Sequence, residues 1–115
     1  TAHEPLVVLD PDLRVVSANP SYYRLFQAER DKTEGKSILE LGNGQWRNEE
    51  LKSLLEKIVP EDVPLINFEV RMELPNIGSK RLLLNARRIQ RHDLGTETIL
   101  LAINDTADAP RHRRP

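Results

Sequence analysis

Three histidines, His3, His92 and His112, are the side chains here whose ordinary titration range suits proton transfer near neutral pH. They fall near one end, beside a turn signal, and in an Arg- and Pro-rich tail. None has a nucleophile or an orienting carboxylate at a catalytic spacing. Asp10 and Asp12 flank Pro11, and two carboxylates on one loop can meet a cation. With no third ligand nearby, that pair reads as turn chemistry. Asp105 beside Thr106 reads as structural. The chain has no cysteine, which removes disulfides, thiolate nucleophiles, Cys-based zinc sites and iron–sulfur clusters. Neither common Gly-rich phosphate loop occurs. No catalytic, cofactor-binding or metal-binding residue is therefore expected, and the isolated chain is expected not to be an enzyme.

Binding chemistry remains. Arg81, Arg87, Arg88 and Arg91 give one predicted strand a basic stripe, facing Glu69, Arg71 and Glu73 of its neighbour. A nucleic-acid surface would interleave such charge with stacking aromatics, but the aromatics here hold apolar positions. The net charge of −1 favours neither nucleic acid nor an anionic membrane. No apolar run approaches the ~20 residues of a membrane span. Thr1-Ala2-His3-Glu4-Pro5 is not a signal peptide and lacks an initiator Met, so the chain reads as excised from something longer. The expected location is the cytoplasm.

A chain of 115 residues is one domain with one core. Leu6-Val7-Val8-Leu9 is a compact apolar strand, and Asp10-Pro11-Asp12 turns it into a second strand at 14–18. That strand runs directly into a helix. Asn19 suits the N-cap, Pro20 the first helical position, and the helix is predicted to reach about Ala28. Residues 30–34 form a helical turn, Gly35 breaks it, and Ser37 caps a short segment at 38–41. Gly42-Asn43-Gly44 is a loop, with Trp46 pinning it to the core. A helix is predicted from Asn48 to Val59, burying Leu51, Leu54, Leu55 and Ile58 and stopped by Pro60.

The period then changes to 2. Phe68, Val70, Met72 and Leu74 alternate with charged and polar residues, giving a half-buried strand. Residues 75–79 turn the chain, and 81–89 form the next strand, whose inward face is left open. His92-Asp93-Leu94-Gly95 is a turn, and the strand at 97–104 is apolar enough to be central. The expected class is α+β: a single five-stranded antiparallel sheet with short helices covering one face.

This order, with these residues, resembles the PAS family of sensor domains. The residues that carry it are Leu9-Asp10, Ala18-Asn19-Pro20 with Tyr22 and Phe26, and Gly35-Lys36-Ser37-Ile38. Further on they are Phe68-Glu69-Val70, Leu84-Asn85-Ala86 and Leu101-Ala102-Ile103-Asn104-Asp105. Segments 41–46 and 82–89 are similar to PAS domains of bacterial sensor histidine kinases. Residues 1–5 are then a linker remnant, 6–106 the domain and 107–115 a tail. The family commonly closes its last strand with Asp-Ile-Thr, followed by a signalling helix. Here Thr106-Ala107 follows Asp105, and Pro110 disfavours a continuous helix.

The resemblance implies a sensor or interaction module that relays a ligand or partner state to an output domain in the same chain. A weak homodimer through the exposed sheet face is expected. Phe26, Leu55, Phe68, Val70, Leu84 and Ile103 either line a pocket between sheet and helices or simply fill the core. Asp105 is the expected output hinge and Asn19 a structural helix cap. Photosensors of this family that form a flavin or coumaroyl adduct need a cysteine, and its oxygen-sensing haem domains use a histidine on the long helix; both are missing here. No cofactor is therefore expected, although a non-covalent flavin and an unknown small molecule stay open. The alternatives are a ligand-free dimerisation or scaffolding domain, and a sensor attached to a diguanylate cyclase or transcription regulator.

Overall fold

Short β-branched runs alternate with strong turn and cap signals in the first third, and each becomes a separate element. In the computed structural model, β1 spans Leu6–Leu9 and β2 spans Val15–Ala18. Helix α1 spans Pro20–Phe26, α2 Glu49–Glu56 and α3 Ile58–Glu61. Strands β3 (Leu65–Leu74), β4 (Gly78–Arg91) and β5 (Thr96–Asp105) follow. Two 3-10 turns, Arg30–Lys32 and Ile38–Glu40, lie between α1 and α2. The structure describes residues 4–41, 46–74, 78–91 and 96–105. The loop expected at 42–44, most of the turn at 75–79, the turn at 92–95 and the tail after 105 lie outside them, as do His3, His92 and His112.

The five strands form one sheet in the order β2-β1-β5-β4-β3. Every neighbouring pair is antiparallel. The last strand is thus central, held between β1 and β4. The α+β architecture expected from the alternation of periods is the one found.

Asp10 organises the first hairpin. Its Oδ1 accepts from the backbone N–H groups of Asp12 and Arg14, both at 2.9 Å. The carboxylate is spent on the turn, which leaves Leu13 in the left-handed region at φ 67°. Leu13 is nevertheless buried, 2% exposed. The outer edge of β2 is partly covered, because Val15 donates to the Lys36 carbonyl and Gly35 donates to the Val15 carbonyl. Gly35 makes this return at φ 84°, a conformation glycine adopts without steric cost.

Two helix ends differ from the sequence expectation. Helix α1 stops at Phe26, because Gln27 takes a left-handed conformation at φ 54° and its N–H bonds the Tyr23 carbonyl. The helix expected at 48–59 is two pieces, broken at Lys57 (φ −92°, ψ −9°). Pro60 ends the first piece but not the helical run, which continues to Glu61. Pro60 has no N–H for the Glu56 carbonyl, which ends α2, and it sits instead in the first turn of α3, where that N–H would be unpaired anyway.

On β4, Leu82, Leu84 and Ala86 point inward, while Leu83, Asn85 and Arg87 point away. Strand β3 carries one extra residue between Leu65 and Phe68. Asn67 absorbs it at φ 50°, and its N–H donates to Asn85 Oδ1 at 2.9 Å. This bulge keeps both Leu65 and Phe68 on the inward face. Leu51, Leu55 and Ile58 close the core from the helical side. Helix α3 packs on β4 and β5, and α1 on β1. Among the described residues, no helix is long and apolar enough to cross a membrane.

Candidate ligand cleft and output strand

Asn19 fixes where α1 starts. Its Oδ1 accepts from Tyr22 N–H at 3.1 Å, and Pro20 occupies the first turn. Tyr22 and Phe26, four residues apart, then share one face. Their rings lie 4.7 Å apart, tilted by 31°. Tyr23 meets Tyr22 edge-on at 5.5 Å, and Trp46 meets Phe26 at 5.6 Å. Every aromatic ring of the chain except Phe68 belongs to this cluster.

A cleft of about 280 Å³ opens on the cluster. Its buried lining is Tyr22, Phe26, Thr33 and Leu41, with Ala28 half-buried beside them. Gln27, Glu29 and Lys32 are exposed and form its mouth. The 3-10 turn at Arg30–Lys32 shapes this wall. Thr33 Oγ1 donates to the Glu29 carbonyl at 2.7 Å, which closes the turn on itself. Lys32 and Glu29 stand 3.9 Å apart, so the mouth carries opposed charges.

Burial dominates the electrostatics. The Tyr22 hydroxyl is pushed up to about 12, mainly by loss of solvent and then by its neighbour Tyr23. The Trp46 indole N–H opposes this rise. It nevertheless stops short of hydrogen-bond geometry, so Trp46 Nε1 is a buried donor without a partner among the described residues. An unsatisfied buried donor costs about 1–3 kcal/mol. The Tyr23 hydroxyl is likewise buried and unpartnered, and it is shifted upward by burial first and Glu34 second, with Arg30 opposing.

The six residues named from sequence as pocket or core are divided. Phe26 lines the cleft. Phe68, Leu84 and Ile103 form one row across β3, β4 and β5 on the inward face. Leu55, Leu84 and Ile103 are fully buried, Val70 nearly so, and Phe68 is half-buried. None of these five reaches the cleft. Asp105 ends β5 opposite Leu82, which in turn pairs with Val70. The remaining cleft residues lie in a polar stretch without periodicity. The Tyr22/Phe26 spacing was the available signal for them.

The basic stripe does not exist as one surface. Side chains alternate along a strand, so Arg81 and Arg87 point outward and Arg88 inward. Arg81 pairs with Glu69 at 3.2 Å. Arg88 reaches the Val59 carbonyl at 3.1 Å, Asp62 at 3.1 Å and Glu97 at 3.6 Å. It ties α3 and the chain after it to the end of the sheet.

A model of the PAS fold matches residues 2–110. The chain belongs to the PAS family. A PAS domain of an HTR-like protein from Haloarcula marismortui is 16% identical with a TM-score of 0.65, covering 91% of this chain and 83% of that one. A sensory box sensor histidine kinase from Vibrio cholerae is 19% identical with a TM-score of 0.62, covering 90% and 81%. The Vibrio cholerae protein VqmA, described as a dimer among LuxR-type receptors, is 10% identical with a TM-score of 0.72, covering 90% and 46%. At these identities the likeness is one of fold. No curated protein matches the chain. PAS domains are sensory modules and typically non-catalytic.

Proposed function

We propose that this PAS domain is the sensor or interaction module of a bacterial signal-transduction protein, a two-component sensor histidine kinase. It relays the state of a ligand or partner to an output domain of the same protein, in the cytoplasm. The observation that carries this reading is the place of β5. Ile99, Leu101 and Ile103 on β5 are almost wholly buried, and the strand lies between β1 and β4. Any repacking of the core must displace this strand, and Asp105 is where it ends. We assign Asp105 the hinge role on that ground. The domain needs neither an adduct-forming flavin nor haem held by a helical histidine, since the chain has no cysteine and residues 48–59 no histidine.

The outer sheet face supports a homodimer. Leu6, Val8, Leu83, Leu100 and Ala102 bring apolar side chains together on the face away from the helices. A second reading, a ligand-free scaffold, is favoured by the full burial of Leu55, Leu84 and Ile103, which fills the space between sheet and helices. One experiment separates them. Asp105→Ala in the full-length protein is expected to change kinase output while the thermal midpoint stays near wild type. Unchanged signalling at normal stability overturns the relay.

A further inference from the structure

The two edges of the sheet are finished differently. At β2, the Val15 N–H and carbonyl are taken by Lys36 and Gly35. At β3, the other end of the strand order, no backbone bond arrives from beyond β4 among the described residues. Residues 68–74 therefore present a row of N–H and C=O groups that another strand can pair with. The bulge at Asn67 bounds this row on one side, and the end of β3 at Leu74 bounds it on the other.

The side chains say which strand fits. Glu69, Arg71 and Glu73 alternate in sign on the exposed face. Arg71 stands directly opposite Arg81 of β4, and Arg81 is committed to Glu69 at 3.2 Å. Arg71 itself makes no ion pair among the described residues. On the inward face Phe68 is half-buried, whereas Val70, Met72 and Leu74 are buried. The open edge thus wants a carboxylate beside Arg71 and apolar cover beside Phe68.

We propose that β3 pairs antiparallel with β3 of a second copy of this chain, with Val70 opposite the partner's Val70. In that register Arg71 meets the partner's Glu69 and Phe68 meets the partner's Met72, and the two-fold symmetry makes each contact twice. Centring the pair on Glu69 or Arg71 sets like charges face to face. Centring it on Met72 gives Arg71 the partner's Glu73 but carries Phe68 past the partner's Leu74, where the strand has ended. The two-fold axis crosses the sheet, so both outer faces lie on one side and the apolar patch around Leu83 and Leu100 stays open. The contact is separate from the face dimer and independent of the sensor reading. So short an edge buries less than the roughly 1,200 Å² of a standard interface, so the dimer is weak and reversible.

Sedimentation equilibrium and amide hydrogen exchange of the whole chain, followed up to about 1 mM, test this. Exchange at residues 68–74 is expected to slow as concentration rises. Arg71→Glu and Glu69→Arg, both at exposed positions, should each weaken association at least about tenfold, since two cross-strand attractions become repulsions. The double variant Glu69→Arg/Arg71→Glu restores both pairs and should recover most of the loss, which also shows that neither single variant had merely unfolded. In the Met72-centred register the double variant stays repulsive. Leu100→Glu, which spoils the outer face, should leave the protection of β3 intact. Concentration-independent exchange of β3, wild-type association in Arg71→Glu, no recovery in the double variant, or loss of β3 protection in a folded Leu100→Glu protein each overturns the pairing. None of these outcomes bears on whether the domain senses a ligand.

Discussion

Asn19 and Leu6 are joined in both directions: Asn19 Oδ1 accepts from the Leu6 N–H at 2.9 Å, and the Leu6 carbonyl accepts from the Asn19 N–H at 3.0 Å. The same Oδ1 caps α1, and Nδ2 donates to the Glu4 carbonyl at 2.8 Å. One amide therefore fixes the start of β1, the end of β2 and the start of α1. Asn19→Ala is expected to cost roughly 2–3 kcal/mol in urea unfolding, a cap plus two strand contacts. Asn19→Asp keeps the acceptor but sets an oxygen against the Glu4 carbonyl, and should cost about 1 kcal/mol. Equal losses in the two variants would mean that the acceptor Oδ1 contributes nothing, and no loss in Asn19→Asp that the amide donor contributes nothing.

Gln27 and Leu13 share a left-handed backbone but predict opposite outcomes. Gln27 is exposed, at φ 54°. Gln27→Gly should stabilise by up to about 1 kcal/mol through relief of backbone strain. Leu13, at φ 67°, gains the same relief but gives up a buried side chain. Leu13→Gly should therefore destabilise by roughly 2–3 kcal/mol, since core truncation outweighs the backbone gain. Thermal midpoints moving in the same direction would contradict this balance.

Arg88 holds a carbonyl and two carboxylates at once, with its side chain 32% exposed. Arg88→Met keeps the stem but leaves Asp62 and Glu97 without their shared cation. A loss of about 1–2 kcal/mol is expected at low salt. It should narrow towards 1 M salt, where screening weakens the lost attraction. Arg88→Lys should recover only part, because an ammonium cannot bridge three acceptors with the guanidinium's fixed fork. Parallel urea titrations at low and high salt decide it.

Tyr22 sets an alkaline limit. Its folded value, about 12, lies above the 10.0 of an ordinary tyrosine, so the folded state holds a proton the unfolded chain releases. That contribution is fully present below about pH 10 and is lost as pH rises towards 12. At about 1.4 kcal/mol per pH unit, the fall across this window is roughly 2–3 kcal/mol. Tyr23 is shifted in the same direction, so Tyr22→Phe should flatten the profile without abolishing it. Stability curves of the two proteins that run parallel from pH 9 to 12 would count against this assignment.

How much of this was legible varies by element. The junction at Ala18-Asn19-Pro20 was readable because cap and first-turn chemistry are local. The strand at Leu65–Leu74 was readable from its period, although the bulge at Asn67 was not: only the register against β4 creates it. Leu82-Leu83-Leu84 hid the inward face of β4, since both parities are apolar. Pro60 misled because a proline acts on the carbonyl four residues earlier as well as at its own position. The cleft was hidden for a different reason. Gln27, Lys32 and Thr33 look like ordinary loop residues until the 3-10 turn folds them towards Leu41.

The strand order has a mechanical meaning. Leu6, at the start of β1, lies beside Ala102 near the end of β5, and Ile103 N–H bonds the Pro5 carbonyl. The chain thus enters and leaves the central pair of strands at the same end. A pull between these two points peels β1 from β5 one hydrogen bond at a time, where a pull along opposite ends would load all of them together. The domain yields most easily to a tug at its own entrance and exit, and the bonds made by Asn19 to Glu4 and Leu6 sit where that peeling begins.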